Sequence, residues 1–142
     1  MNMKYFIIFL LINFISCKKN QQMNSNNFSG SWEYESVNNK DEFQNKTFEL
    51  ELSNKNNIIV GTYCSISRGG RKIDCFDRFE KNITGIIQND TLYLDFYSSW
   101  ENSKGKAKLY FDNKSRLNWL LGECTGELYL PIKIALEKVK EN

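Results

Sequence analysis

The chain has no histidine in its 142 residues. That absence removes the Ser-His-Asp and Cys-His arrangements that activate a nucleophile. It also leaves few metal ligands. There are four cysteines and no C-x-x-C pair, whereas a structural zinc site draws on four Cys or His ligands. No metal and no cofactor are expected. A Gly-rich phosphate loop opening a helix is missing as well. Carboxylates come in pairs, Glu33 with Glu35 and Glu49 with Glu51. Each pair is spaced so that a strand puts both members on one face. A glycosidase needs two carboxylates across a cleft, and nothing selects two here, so no enzyme is expected. Charge of one sign is also scarce. Nineteen Lys and Arg stand against seventeen Asp and Glu, a formal +2, which gives no built-in pull toward nucleic acid.

Long apolar runs are nearly absent too. The one candidate, residues 5 to 15, is apolar except for Asn13. It is shorter than the roughly 20 residues needed to cross a bilayer core. It does have the length and flanks of a secretory signal, with Lys4 before it and the small residue Ser16 after it. Cys17 follows, and the composition then turns polar with Lys18-Lys19-Asn20-Gln21-Gln22. Phe14-Ile15-Ser16-Cys17 resembles the lipobox of bacterial lipoproteins. The resemblance implies a signal peptide over 1–16, cut before Cys17. It also implies a diacylglycerol on the Cys17 thiol and an acyl chain such as palmitate on the new amine. More than one chain makes a stable membrane anchor. An ordinary secretory signal and an uncleaved anchor are the alternatives. Lys18, standing where Asp marks inner-membrane retention in that family, implies the outer membrane facing the periplasm, with surface display still open. Residues 17–27 then form the lipidated Cys and a polar tether, whose ten residues after Cys17 can reach roughly 35 Å. Residues 28–142 are long enough for one domain with its own core.

From Phe28 onward the apolar residues alternate. Phe48, Leu50 and Leu52 share one face of TFELEL, opposite Glu49 and Glu51, the pattern of a half-buried antiparallel strand. ITGIIQ and TLYLDFY flank Asn89-Asp90, a pair that tolerates the positive φ of a tight hairpin. Ala107, Leu109 and Phe111 alternate in the next strand. Leu117, Trp119 and Leu121 alternate in the one after it. Ile132, Ile134 and Leu136 alternate in the last, with Pro131 opening it. Eight or nine short strands joined by short turns predict an all-β fold. The expected form is an antiparallel up-and-down barrel of about eight strands, with a β-sandwich as the alternative.

Gly69-Gly70 sets a register in YCSISRGGRKIDCF. Counting outward places Cys64 opposite Cys75, and an exported chain meets an oxidising compartment, so a Cys64–Cys75 disulfide is expected. Cys124 is left over in a glycine-flanked loop, either buried or competing for one of the other two. Arg68, Arg71 and Lys72 make a basic hairpin tip that can meet an anion, a lipid headgroup or an acidic partner, or can simply keep the tip soluble. Tyr93 and Tyr97 lie on the face of their strand opposite Leu92, Leu94 and Phe96, with Trp100 just beyond. Tyr and Trp in such places suit a binding surface.

Gly30-Ser31-Trp32 at the start of the first strand resembles the opening of lipocalin-type barrels. The resemblance implies that Trp32 closes the barrel bottom and that the strands enclose a ligand cup. Together these features predict a non-enzymatic envelope lipoprotein. Its barrel would bind a small apolar or peptide ligand, or a protein partner. The alternative is a lipid-anchored inhibitor or immunity protein that works through a hairpin tip.

Overall fold

The structure is a computed structural model, and it describes residues 25–36, 46–56, 58–77, 79–100, 103–112 and 116–140. The signal segment, Cys17 and residues 18–24 lie outside the described residues. The tether expected over 17–27 gives way at Ser25–Phe28 to a short 3₁₀ turn.

Nine strands follow: β1 (Gly30–Ser36), β2 (Lys46–Lys55), β3 (Ile58–Ser67), β4 (Lys72–Cys75), β5 (Ile83–Gln88), β6 (Thr91–Tyr97), β7 (Lys104–Phe111), β8 (Leu117–Thr125) and β9 (Lys133–Lys138). β1 pairs with both β2 and β9, and β2 pairs with β3, so the antiparallel sheet closes on itself. Eight strands form the barrel, and the β-sandwich alternative is excluded. β4 is the ninth strand and pairs only with β3, over Cys64–Ser67. β5 takes the same edge of β3 lower down, over Ile59–Gly61. The two together complete one side of the barrel.

Local chemistry explains the turns. Asn89 and Asp90 both have positive φ, 48° and 61°, the tight hairpin that the pair was expected to make. Gly69 and Gly70 are also left-handed, and the register they set is the expected one: Ser67 faces Lys72, Ile66 faces Ile73, and Cys64 faces Cys75. The last strand departs from expectation at its start. Ile132 is 73 % exposed and lies outside β9, whereas Ile134 and Leu136 turn inward. Pro131 therefore belongs to the preceding connection. Cys124 sits in β8, not in a loop. β8 carries an extra residue between the rungs Ala107–Leu121 and Gly105–Cys124. Such a bulge re-aims the side chains beyond it, and Cys124 ends up free and exposed.

An eight-stranded barrel is just wide enough for side chains to fill, and this one is filled. Phe48, Tyr63, Phe96 and Trp119 come from four strands and meet around the interior, with ring centroids 4.9–6.0 Å apart. All four are at most 4 % exposed. Gly105 lies against Phe96, where a Cβ would strike the ring. Lower down, Phe111 packs on Phe28 and Trp32 at 5.1 and 5.7 Å. Trp32 is buried, its indole N–H donates to the Phe28 carbonyl at 3.0 Å, and the Lys138 ammonium sits 5.4 Å from its ring. It lies at the end where the chain enters the barrel.

Trp32→Ala should cost about 3 to 5 kcal/mol, because it deletes a large core side chain with no neighbour able to replace it. A denaturant midpoint close to wild type would place the indole outside the core.

Candidate binding rim at the far end of the barrel

Strand direction gives the barrel two unlike ends. Gly30, the turn at Asn56, the Asn89-Asp90 turn and the end of β9 gather where the chain enters. The 68–71 turn, the 98–103 connection and the 126–132 connection gather at the opposite end. The candidate site is built from this far end.

The β3–β4 hairpin carries it. The Cys64–Cys75 disulfide forms, with Cα atoms 4.0 Å apart. The face bearing the bridge turns outward, so Ile73 is 51 % exposed. The other face turns inward and brings Ser65 and Asp74 into the barrel mouth. Asp74 is fully buried. Its Oδ2 accepts from the Tyr63 hydroxyl at 2.9 Å and the Ser98 hydroxyl at 2.6 Å. Its Oδ1 accepts from the Ser99 amide at 3.0 Å and the Ser99 hydroxyl at 2.8 Å. A buried carboxylate is tolerated when its lone pairs are filled in this way. Burial, and then the adjacent Asp74 carboxylate, push the Tyr63 hydroxyl far above its ordinary ionisation range.

That anchor positions Trp100. Its backbone amide donates to Ser98 Oγ at 3.0 Å and its indole N–H to the Ile73 carbonyl at 2.8 Å. Tyr129 meets the Trp100 ring edge-on at 5.2 Å. The Lys72 ammonium lies 4.8 Å from the Trp100 ring centroid and 4.4 Å from that of Tyr129. A cation held over two aromatic faces is attracted by both.

The connection after β8 crosses the mouth. Ser65 Oγ donates to the Tyr129 carbonyl at 2.9 Å, Trp119 Nε1 to the Pro131 carbonyl at 2.9 Å, and the Leu121 amide to the Ile132 carbonyl at 2.8 Å. Leu128 and Leu130 pack down on the core. What remains open is a notch of about 180 Å³, walled by Tyr34, Phe48, Tyr129 and Leu130 and edged by Lys46 and Arg68. That is smaller than the roughly 300–1,000 Å³ of small-molecule sites.

Of the residues singled out from the sequence, Arg68, Lys72 and Trp100 come together here, with Arg71 in the adjoining turn. Tyr93 and Tyr97 do not join them. They stand on the outer wall of β6, Tyr93 near the Lys108 ammonium at 5.4 Å and Tyr97 against Phe76 at 5.3 Å. Asp74 and Tyr129 were missed. Asp74 gives a signal in hindsight, since it faces Ser65, two residues beyond the inward Tyr63. Tyr129 lies in a stretch with no periodicity to read. The two carboxylate pairs lie on the outward faces of β1 and β2, with Glu33 directly opposite Glu49. Among the described residues no three Cys, Asp or Glu side chains could hold a metal ion. No family model, curated protein or solved structure matches the chain.

Asp74→Ala should cost about 3 kcal/mol, because it strands buried donors that pointed at a charge. Trp100 should also be freed, seen as a red shift in tryptophan emission under native conditions. Full stability with unchanged emission would show that the carboxylate is not the anchor of the rim.

Proposed function

We propose that the protein is a non-enzymatic envelope lipoprotein. In this reading its barrel is a rigid stand that presents a cationic and aromatic rim to a protein partner. The observation that carries it is the Lys72–Trp100–Tyr129 stack beside a 180 Å³ notch, on a barrel whose interior is already full. A packed interior favours a protein or peptide partner over a small ligand in a cup. The notch has room for a single side chain. Its apolar walls and the charges of Lys46, Arg68 and Lys72 suit a partner that offers an apolar knob ringed by carboxylates. Trp, Tyr and Arg are also the residues that most often dominate binding energy at protein interfaces. A filled barrel with such a rim supports the reading of an inhibitor or immunity protein that works through one end.

The N-terminal segment supports the address. A lipid on Cys17, followed by a tether entering the barrel near Gly30, would leave the rim at the end facing away from the membrane. An outer-membrane position facing the periplasm follows from Lys18, again by resemblance.

Cross-linking in intact envelopes, followed by mass identification, tests the reading. A partner captured by wild type should be lost with the Arg68→Glu/Lys72→Glu double variant and kept with Tyr93→Ala on the side wall. Capture that survives charge reversal at the rim would overturn it. For the anchor, Cys17→Ser should abolish incorporation of a fatty-acid analogue and move the protein to the soluble fraction. Equal labelling of variant and wild type would remove the lipoprotein claim.

A further inference from the structure

The notch at the far end is formed before anything enters it. Tyr34 of β1 stands opposite Phe48 of β2 on one wall. The 126–132 connection makes the other wall and is held by Ser65 on the Tyr129 carbonyl and Trp119 on the Pro131 carbonyl. A site ordered in advance loses little entropy on binding. Two cations, Lys46 and Arg68, edge the notch. Both are exposed, and among the described residues neither has an ion-pair partner. Lys72, by contrast, is already engaged on two rings.

Two further features point to an anion at this edge. Ser67 borders the notch from the inward face of β3. It is only 8 % exposed, and among the described residues its hydroxyl makes no hydrogen bond. A polar group so deeply buried normally has a partner. Arg68 is the second feature. Its φ is 54°, a left-handed conformation that suits glycine and is costly for a residue with a Cβ. Two glycines follow it in the same turn, yet this position carries a long cation that borders the notch. Backbone strain of this kind collects at functional sites.

Given the rim as the end that meets the partner, a reading on which this inference rests, we propose that the notch holds the C-terminal residue of the partner chain. Its last side chain is apolar and lies between Tyr34, Phe48, Tyr129 and Leu130. Its α-carboxylate lies on Arg68 and Lys46 and accepts from the Ser67 hydroxyl. The volume of about 180 Å³ has room for one side chain, with both cations on its edge. An α-carboxylate shares its Cα with the last side chain, so anion and apolar group arrive together with few extra torsions to fix. An internal apolar knob would need two acidic side chains folded back around it, each losing rotamer freedom. The guanidinium fork of Arg68 matches the two oxygens of one carboxylate. Capture of a chain terminus is a recurrent mode of peptide recognition.

The test is fluorescence polarisation of the full chain, in a zwitterionic detergent, with the labelled hexapeptide Gly-Ser-Gly-Ser-Gly-Phe as free acid and as C-terminal amide. The free acid should bind saturably. The amide should bind about tenfold or more weakly, as expected when a charged hydrogen-bond partner is lost. Arg68→Gly should weaken the free acid to the level of the amide yet melt no lower than wild type, because the left-handed backbone is relieved. Arg68→Gln keeps that backbone and should weaken binding equally. Ser67→Ala should weaken binding without lowering stability, since no internal hydrogen bond is lost. Equal affinity for acid and amide, no saturable binding, or wild-type affinity in Arg68→Gln would overturn the proposal. Binding of acetyl-Gly-Asp-Phe-Glu-Gly-amide where the free acid fails would overturn it in favour of an internal knob. Any of these results, with envelope capture still lost in Arg68→Glu/Lys72→Glu, removes the terminal residue and keeps the rim. Capture that survives that charge reversal removes the rim itself.

Discussion

Four aromatic rings, Phe48, Tyr63, Phe96 and Trp119, close on one another around the middle of the barrel. Each belongs to a different strand: the Phe48–Tyr63 contact reinforces the paired strands β2 and β3, and the other three contacts join strands that no hydrogen-bond ladder links directly. Aromatic pairs in tilted or edge-on geometry add roughly 0.5–1.5 kcal/mol each beyond the area they bury. Their bulk also decides what the barrel can do. With the mid-section occupied and Trp32 and Phe111 packed beneath, the interior is a core and not a vessel.

The same rings set the terms for the polar layer above them. Tyr63 has its ring in the core and its hydroxyl on Asp74, so it joins the apolar interior to a buried charge. Asp74 would be costly in that place if any of its lone pairs faced apolar surface. Instead it gathers donors from β3 and from the 98–103 connection, and so fixes the loop that carries Trp100. The disulfide holds the outer face of the same hairpin. Its loop is short, so the expected stabilisation is about 2 to 3 kcal/mol. Its geometric effect is larger, because a hairpin held by a covalent bond outside and a carboxylate inside presents Lys72 in one direction.

The near-zero net charge conceals a strong separation. Basic side chains collect at the far end around Lys46, Arg68 and Lys72, and acidic ones collect on the wall formed by β9, β1 and β2. Charges that are segregated while the total stays near neutral steer partners by local field.

Alternation of apolar residues was enough to identify β2, β6, β7 and β8, because a strand with one face in a core repeats every second residue whatever it packs against. The turns at Asn89-Asp90 and Gly69-Gly70 were legible for an equally local reason, the need for positive φ. From the second of these the Cys64–Cys75 pairing followed by counting. Closure of the sheet could not be read this way. It depends on β1 meeting β9, residues about a hundred positions apart, and no local pattern encodes such a meeting. The inward turn of Asp74, the capping of the mouth by residues 126–132 and the arrival of Tyr129 beside Lys72 were likewise decided by tertiary structure. The extra residue in β8 that exposes Cys124 belongs with them, since a bulge shows only when two strands are laid side by side. Filling of the barrel was decided there too: alternation shows which side chains point inward, and only the curvature of eight strands decides that they meet.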